Sequence, residues 1–312
     1  MLQKAIASRR VGHSYIFSGI NGIGKKVVAL AFACALNCDE PDAAGDACGK
    51  CASCLKISRG SHPDIHLLAS DTQFIRIDAI RHIQQQMTFR PLEGKKRVFI
   101  IDDADKMNEQ AANALLKTLE EPSAGNIIIL VSSRPNWMPL TILSRCRQVR
   151  FHPLPAETVA RWLVEQGKTD PARAHLLASL SCGSISQALE LDAEEMTAFR
   201  ADLGRLLSGA SAREPMSLLT LSAFLGQDKK EIRQGLKIVN TYFRDALVYK
   251  ETANPSMIIN AHDLPCVASL AQRLTGEQIL ANIALVERST QMIDMNVNKS
   301  LTLETMAFKL SI

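Results

Sequence analysis

Ser14-Tyr15-Ile16-Phe17-Ser18-Gly19-Ile20-Asn21-Gly22-Ile23-Gly24-Lys25-Lys26 decides the fold. An apolar segment of buried-strand character runs into a glycine-rich turn, and residues 25–37 continue as an Ala/Leu-rich helix without a breaker. Strand, glycine loop and helix in that order make a phosphate-binding loop. Its backbone N–H groups and the helix N-terminus surround phosphate oxygens while a lysine supplies charge. Gly19, Gly22 and Gly24 allow the tight backbone path, and Lys25 is the phosphate-reaching cation. A chance glycine turn would share the spacing but not the flanking strand and helix. Lys26 stands where the motif places a Ser or Thr hydroxyl on Mg²⁺, so nucleotide binding is expected to outlast efficient Mg²⁺-dependent turnover.

Outward from this loop, apolar segments at 64–68, 97–101, 126–131 and 148–151 alternate with helical patterns at 77–87 and 108–120. Such alternation predicts a parallel sheet covered on both faces. After Pro153 and Pro155 the strand pattern stops. Short helices are expected over 156–166, 171–179 and 184–191. About five longer ones follow from Met196, with breaks near 208–214, Gly226, Asn254-Pro255 and Thr275-Gly276. The expected fold class is an α/β P-loop NTPase module with a parallel sheet, followed by an all-α lid and an all-α C-terminal domain. The expected boundaries are 1–153, with a cysteine loop at 38–54, then 154–194 and 195–312.

Composition narrows the class. Across 312 residues, 46% are apolar and 22% charged, ordinary values for a soluble globular protein. No apolar run reaches the roughly 18 residues of a membrane span, and a cytoplasmic location is expected. A formal charge of +4, with clusters at Arg9-Arg10, Lys25-Lys26 and Lys95-Lys96-Arg97, permits contact with DNA without demanding it.

Arg97-Val98-Phe99-Ile100-Ile101-Asp102-Asp103 is a buried-strand run ending in carboxylates. Asp102 is placed to hold Mg²⁺ through water. Asp103 is one methylene shorter than the glutamate expected to orient an attacking water, and a misplacement of about 1 Å can cost ~10²-fold in rate. Asp102-Asp103-Ala104-Asp105 also reads as an acidic helix N-terminus favoured by the helix dipole, a reading that suits Asp105 well. Ser144-Arg145-Cys146, before the last strand, can present a planar guanidinium to a γ-phosphate on an adjoining protomer, an interaction worth about 10³-fold or more in rate. In isolation such an arginine would be solvated or salt-bridged.

Four of the eight cysteines follow the pattern Cys38-x9-Cys48-x2-Cys51-x2-Cys54. Four thiolates in a loop with little apolar content predict a structural zinc whose binding supplies folding energy. A redox cluster or unligated thiols are the alternatives. His62 and His66 lie nearby, but the four positions are already filled. Cys34, Cys146, Cys182 and Cys266 are scattered singly and read as buried free thiols.

Together these stretches resemble the delta-prime subunits of bacterial DNA polymerase III clamp loaders, members of the AAA+ family. The resemblance rests on His13-Ser14-Tyr15-Ile16-Phe17-Ser18-Gly19, the four-cysteine loop, Ser61-His62-Pro63-Asp64 and Ile101-Asp102-Asp103-Ala104-Asp105-Lys106-Met107. It continues through Asn108-Glu109-Gln110-Ala111-Ala112-Asn113-Ala114-Leu115-Leu116-Lys117-Thr118-Leu119-Glu120-Glu121-Pro122 and Ser144-Arg145-Cys146. It covers residues 10–195 closely and the helical remainder loosely, through Asn296-Val297-Asn298-Lys299.

The resemblance implies an AAA+ module, a three-helix lid and a helical collar that joins this chain to delta and gamma/tau subunits in a five-subunit ring. Such a ring loads the sliding clamp on primer–template DNA. It further implies a rigid stator that donates Arg145 in trans, with zinc as a structural cofactor and ATP bound weakly or without hydrolysis. Ser132-Ser133 would fall in the sensor region. Ser186, in Gly183-Ser184-Ile185-Ser186-Gln187, replaces a sensor arginine of the ATPase paralogues. Relatives carry a segment before the match to Met1-Leu2-Gln3-Lys4 that helps enclose the adenine, so reduced nucleotide affinity is expected here. The competing expectations are a working gamma/tau-like ATPase and a zinc-dependent nucleic-acid binder.

Overall fold

The computed structural model describes residues 1–312 apart from 9, 43–44, 70–73, 192 and 212–213, with the backbone alone at 193–195, 256 and 262. Arg9 of the Arg9-Arg10 pair, part of the cysteine loop and part of the 208–214 break lie outside the described residues. The chain divides into two compact units, Met1–Glu190 and Leu191–Ile312.

The first unit is built on strands β1 (Ser14–Ser18), β2 (Ile65–Leu68), β3 (Arg97–Ile101), β4 (Asn126–Ser132) and β5 (Arg147–Arg150). They form one sheet in the order β2-β3-β4-β1-β5, and every neighbouring pair is parallel. Its helices are α1 (Leu2–Ala7), α2 (Lys25–Asn37), α3 (Ala52–Ser58), α4 (Ile77–Met87), α5 (Glu109–Glu120), α6 (Leu140–Leu143), α7 (Ala156–Glu165), α8 (Pro171–Leu180) and α9 (Ile185–Glu190).

Side chains alternate between faces along a strand, so each strand feeds two cores. Ile16, Phe99, Ile101, Ile128 and Leu130 pack with Ile80 and Ile83 of α4 and Leu115 and Leu119 of α5. Tyr15, Phe17, Val98, Ile100, Ile127 and Ile129 pack with Ala29, Phe32 and Ala33 of α2. Helices on both sides leave β1, β3 and β4 buried along their full length. A parallel sheet gathers the C-terminal ends of its strands on one edge. Gly19, Asp102 and Ser132 are brought together there, while Ser14, Arg97 and Arg145 lie at the other.

The second unit is all helix among the described residues: α10 (Ala193–Gly209), α11 (Pro215–Phe224), α12 (Lys229–Thr252), α13 (Leu264–Arg273), α14 (Gly276–Asp294) and α15 (Lys299–Lys309). There are six, where about five were expected. The additional break is Asn296-Val297-Asn298: Asn296 adopts φ 60°, and the Asn298 side chain caps α15 by accepting from Leu301 N. Capping boxes at Asp228/Glu231 and Thr275/Gln278 open α12 and α14. In this core Arg200, 1% exposed, donates through Nη2 to Asn260 Oδ1 at 2.6 Å. Asn260 in turn donates through its backbone N and Nδ2 to the buried Asp245 Oδ2, at 2.7 and 2.8 Å.

Candidate functional site

The phosphate loop forms as its glycines require. Gly22 has φ 77° and Gly24 has φ 90°, left-handed conformations that carry the chain into α2. Lys25 is 6% exposed, and its ammonium folds back on the loop, donating to Gly19 O at 2.7 Å and Ile20 O at 2.8 Å. Burial lowers its proton affinity, while Asp105, Asp102 and Asp103 pull the other way. The start of α9 lies on the same loop: Ser186 N donates to Gly22 O at 3.2 Å. A Cβ on Gly22 would stand 2.7 Å from Ser186 Cβ and collide with Ser184 Oγ. A cavity of about 550 Å³ opens beside Gly19 and Ile20, bounded by Ser133, Gln148, Arg150 and His152.

The carboxylates beyond β3 are each matched to a cation. Lys26 Nζ lies 3.2 Å from Asp102 Oδ2. Asp103, at φ 51°, pairs with Lys106 Nζ at 2.7 Å. Asp105 is 8% exposed and is more than the acid of a helix N-terminus. It accepts from Ser132 Oγ at 2.6 Å, from Ser133 N at 3.2 Å and from Arg134 Nε at 3.1 Å. Asp105 thereby fixes the Ser132-Ser133 turn at the end of β4. Mg²⁺ demands a near-octahedral shell of oxygens. Here an ammonium stands where the loop hydroxyl should be and occupies the carboxylate that would join it, so the residues present do not fit that metal.

Arg145 lies at the other edge of the sheet. Its backbone O accepts from Ser14 Oγ at 2.8 Å, tying the arginine loop to the first residue of β1. Gly19 follows the last residue of β1, so at ~3.3 Å per residue about 16 Å separate this anchor from the phosphate loop. The exposed guanidinium pairs with Glu120 Oε1 at 2.7 Å and donates to Thr141 O at 3.0 Å. Cys146 beside it is buried, and burial pushes its thiol up to about 11, which keeps it unreactive.

Cys38, Cys48, Cys51 and Cys54 place their Sγ atoms within 4.8 Å of one another. Cys38 closes α2 and is fully buried. Cys51 caps α3, a helix hidden in what reads from sequence as plain loop, by accepting from Cys54 N. Cys48 N donates to Cys38 Sγ, and Cys51 N to Cys48 Sγ, each at 3.3 Å. The backbone N–H groups of Lys50 and Cys51 bring the Cys48 thiol down to about 7. Four thiols at this separation, with N–H donors turned to sulfur, fit a tetrahedral zinc. Cys34, read from sequence as a solitary thiol, stands against Cys54.

Both nearby histidines are engaged outside the cluster. His62 Nε2 meets Ser53 Oγ at 3.1 Å, and His66 stacks on Phe99 with ring centroids 4.8 Å apart. Asp64, fully buried, holds the next loop. It accepts from the backbone N–H groups of Leu92, Glu93 and Gly94 and from the Arg97 guanidinium. That loop returns to the cysteine module through Lys95 Nζ, which donates to Cys38 O at 2.5 Å, and Lys96 N, which donates to Asn37 Oδ1 at 2.8 Å.

A five-stranded parallel sheet, a phosphate loop after its first strand, helices capping that loop and an all-helical C-terminal unit define an AAA+-type NTPase module of the kind found in clamp loaders. Residues 1–155 match the family described as DNA polymerase III, delta subunit, and residues 198–311 its C-terminal domain family. The chain is 30% identical over 303 residues to DNA polymerase III subunit delta' of Bacillus subtilis, covering 96% of this chain and 90% of that protein. It is 36% identical over 213 residues to subunit delta' of Pseudomonas aeruginosa, covering 66% and 64%. To subunit tau of Bacillus subtilis it is 31% identical over 273 residues, covering 80% of this chain and 48% of tau. The chain belongs to the delta-prime family of DNA polymerase III clamp-loader subunits.

Proposed function

We propose that this clamp-loader subunit is a non-hydrolysing stator that lends Arg145 to the nucleotide of a neighbouring subunit. The observation that carries the reading is the position of Arg145. It is exposed, its backbone is anchored to Ser14, and it lies a full strand length from the chain's own phosphate loop. An arginine so placed is out of reach of its own site and open to a neighbour's. The ion pairs of Asp102 and Asp103 and the position of Lys26 support the companion claim that this chain turns over little ATP itself.

In this reading residues 1–153 are the AAA+ domain, 154–194 its lid and 195–312 a collar that meets delta and gamma/tau subunits in a five-membered ring. The ring acts in the cytoplasm on the sliding clamp and primer–template DNA, and the cysteine cluster holds a structural zinc. The test is ATP hydrolysis by a loader reconstituted with its motor subunits, clamp and DNA. Arg145→Ala is expected to lower the rate by about 10³-fold with assembly intact. An unchanged rate removes the finger. Turnover by the isolated chain that disappears with Lys25→Ala would make it a working ATPase instead.

A further inference from the structure

The phosphate loop keeps its glycines and Lys25, yet among the described residues the carboxylates that follow β3 are each paired with a cation: Asp102 with Lys26, Asp103 with Lys106 and Asp105 with Arg134. In an ordinary site of this kind the divalent cation bridges phosphate oxygens and the carboxylate at the end of the neighbouring strand. Here the Lys26 ammonium lies 3.2 Å from Asp102 Oδ2, the carboxylate at the end of that strand. A metal–nucleotide complex would bring two positive charges to a point that already holds one. Among the described residues, the same complex would find Asp102, Asp103 and Asp105 each already paired with a cation.

We propose that Lys26 replaces the divalent cation, so that this loop takes the polyphosphate of a nucleoside triphosphate free of metal and holds it without turnover. The Lys26 side chain is 41% exposed, free enough to reach from Asp102 to a phosphate oxygen. Lys25 exchanges the carbonyls of Gly19 and Ile20 for the same anion, and the two ammonium groups supply the charge that Mg²⁺ otherwise brings. The start of α9, through Ser184 and Ser186, packs on Gly22 at the same loop. The inference rests on the phosphate-loop reading of Gly19–Lys25 and is independent of Arg145.

The test is binding of a fluorescent ATP analogue to the full chain, with magnesium and in magnesium-free buffer. Magnesium is omitted rather than chelated so that the cysteine cluster is undisturbed. The wild type is expected to bind at least as tightly without magnesium as with it. Lys26→Ala should weaken metal-free binding by about tenfold or more, as expected for losing one ammonium–phosphate contact in a partly buried site. Lys26→Thr should make binding magnesium-dependent, and unchanged thermal unfolding of both variants shows that the loop still folds. Wild-type binding that requires magnesium, no binding under either condition, or indifference to Lys26→Ala would each overturn the proposal. A loader indifferent to Arg145→Ala, beside a chain that binds nucleotide without magnesium, would remove the finger and leave this inference standing.

Discussion

Arg145 Nη2 sits 2.7 Å from Glu120 Oε1, so the guanidinium rests on the C-terminal end of α5 in its own chain. Both side chains are substantially exposed, and an exposed pair of this kind contributes at most about 1 kcal/mol. A contact that weak orders the arginine without holding it against a neighbour's phosphate. Glu120→Gln is therefore expected to change unfolding free energy in urea by less than about 1 kcal/mol and to leave loader ATPase far above that of Arg145→Ala. Arg145→Lys should remain defective, because an ammonium lacks the planar fork. Equal rates for Arg145→Lys and wild type would contradict the role given to the guanidinium.

The cysteine module is expected to be folded by its metal. Cys51 is one of the four clustered thiols and also caps α3, so Cys51→Ser should abolish zinc in elemental analysis and lower stability by several kcal/mol. Cys34→Ser, beside the cluster but outside its set of four, should retain full zinc. Zinc loss in Cys34→Ser would redraw the ligand set.

Asp64 gives the pH dependence a definite sign. Burial alone would raise its pKa, but N–H groups of Gly94, Leu92 and Glu93, with Arg97, overcome this and hold it at about 2 instead of 3.8. A group whose folded pKa is depressed stabilises above its unfolded pKa and loses that contribution as pH falls through the folded value. Asp64 therefore contributes about 2 kcal/mol at neutral pH, lost between about pH 4 and pH 2. Asp64→Asn should remove this acid-side slope from urea unfolding curves and leave Arg97 buried without its anion, at a cost of about 3–5 kcal/mol. A slope that persists in the variant would assign it to other carboxylates.

Gly22 joins the phosphate loop to the start of α9. Gly22→Ala forces a side chain into a φ of 77° and against Ser186 Cβ, a strain of about 1–2 kcal/mol before any collision is counted. Hydrogen exchange at the Ser186 amide, which donates to Gly22 O, should quicken in the variant. Unchanged protection would mean that α9 accommodates the methyl without moving.

The sheet was legible in the sequence because buried parallel strands leave continuous β-branched and aliphatic runs. The expected strands match the observed ones to within a residue, α4 has the ends its periodicity predicts, and Asn108 caps α5. What no local pattern encodes depends on partners distant in the chain. The hold of Asp105 on Ser132 spans 27 positions, and no local pattern encodes it. The pairing of Glu120 with Arg145 depends on how α5 lies beside the arginine loop. Helix α1 is too short to show a period, and α3 owes its first turn to a cysteine that composition assigns to a loop. Cys34 did leave a signal: it precedes Cys38 by four residues, one turn away on the same side of a helix.

In the C-terminal unit, the Arg200–Asn260–Asp245 chain makes α10 and α12 intolerant of sliding. Shifting either helix by one turn, about 5.4 Å, would break the buried contacts of Arg200 and Asp245 with Asn260, a cost of about 1.5–3 kcal/mol for each hydrogen bond to a charged group. The bundle consequently behaves as a ratchet with a single tooth engaged.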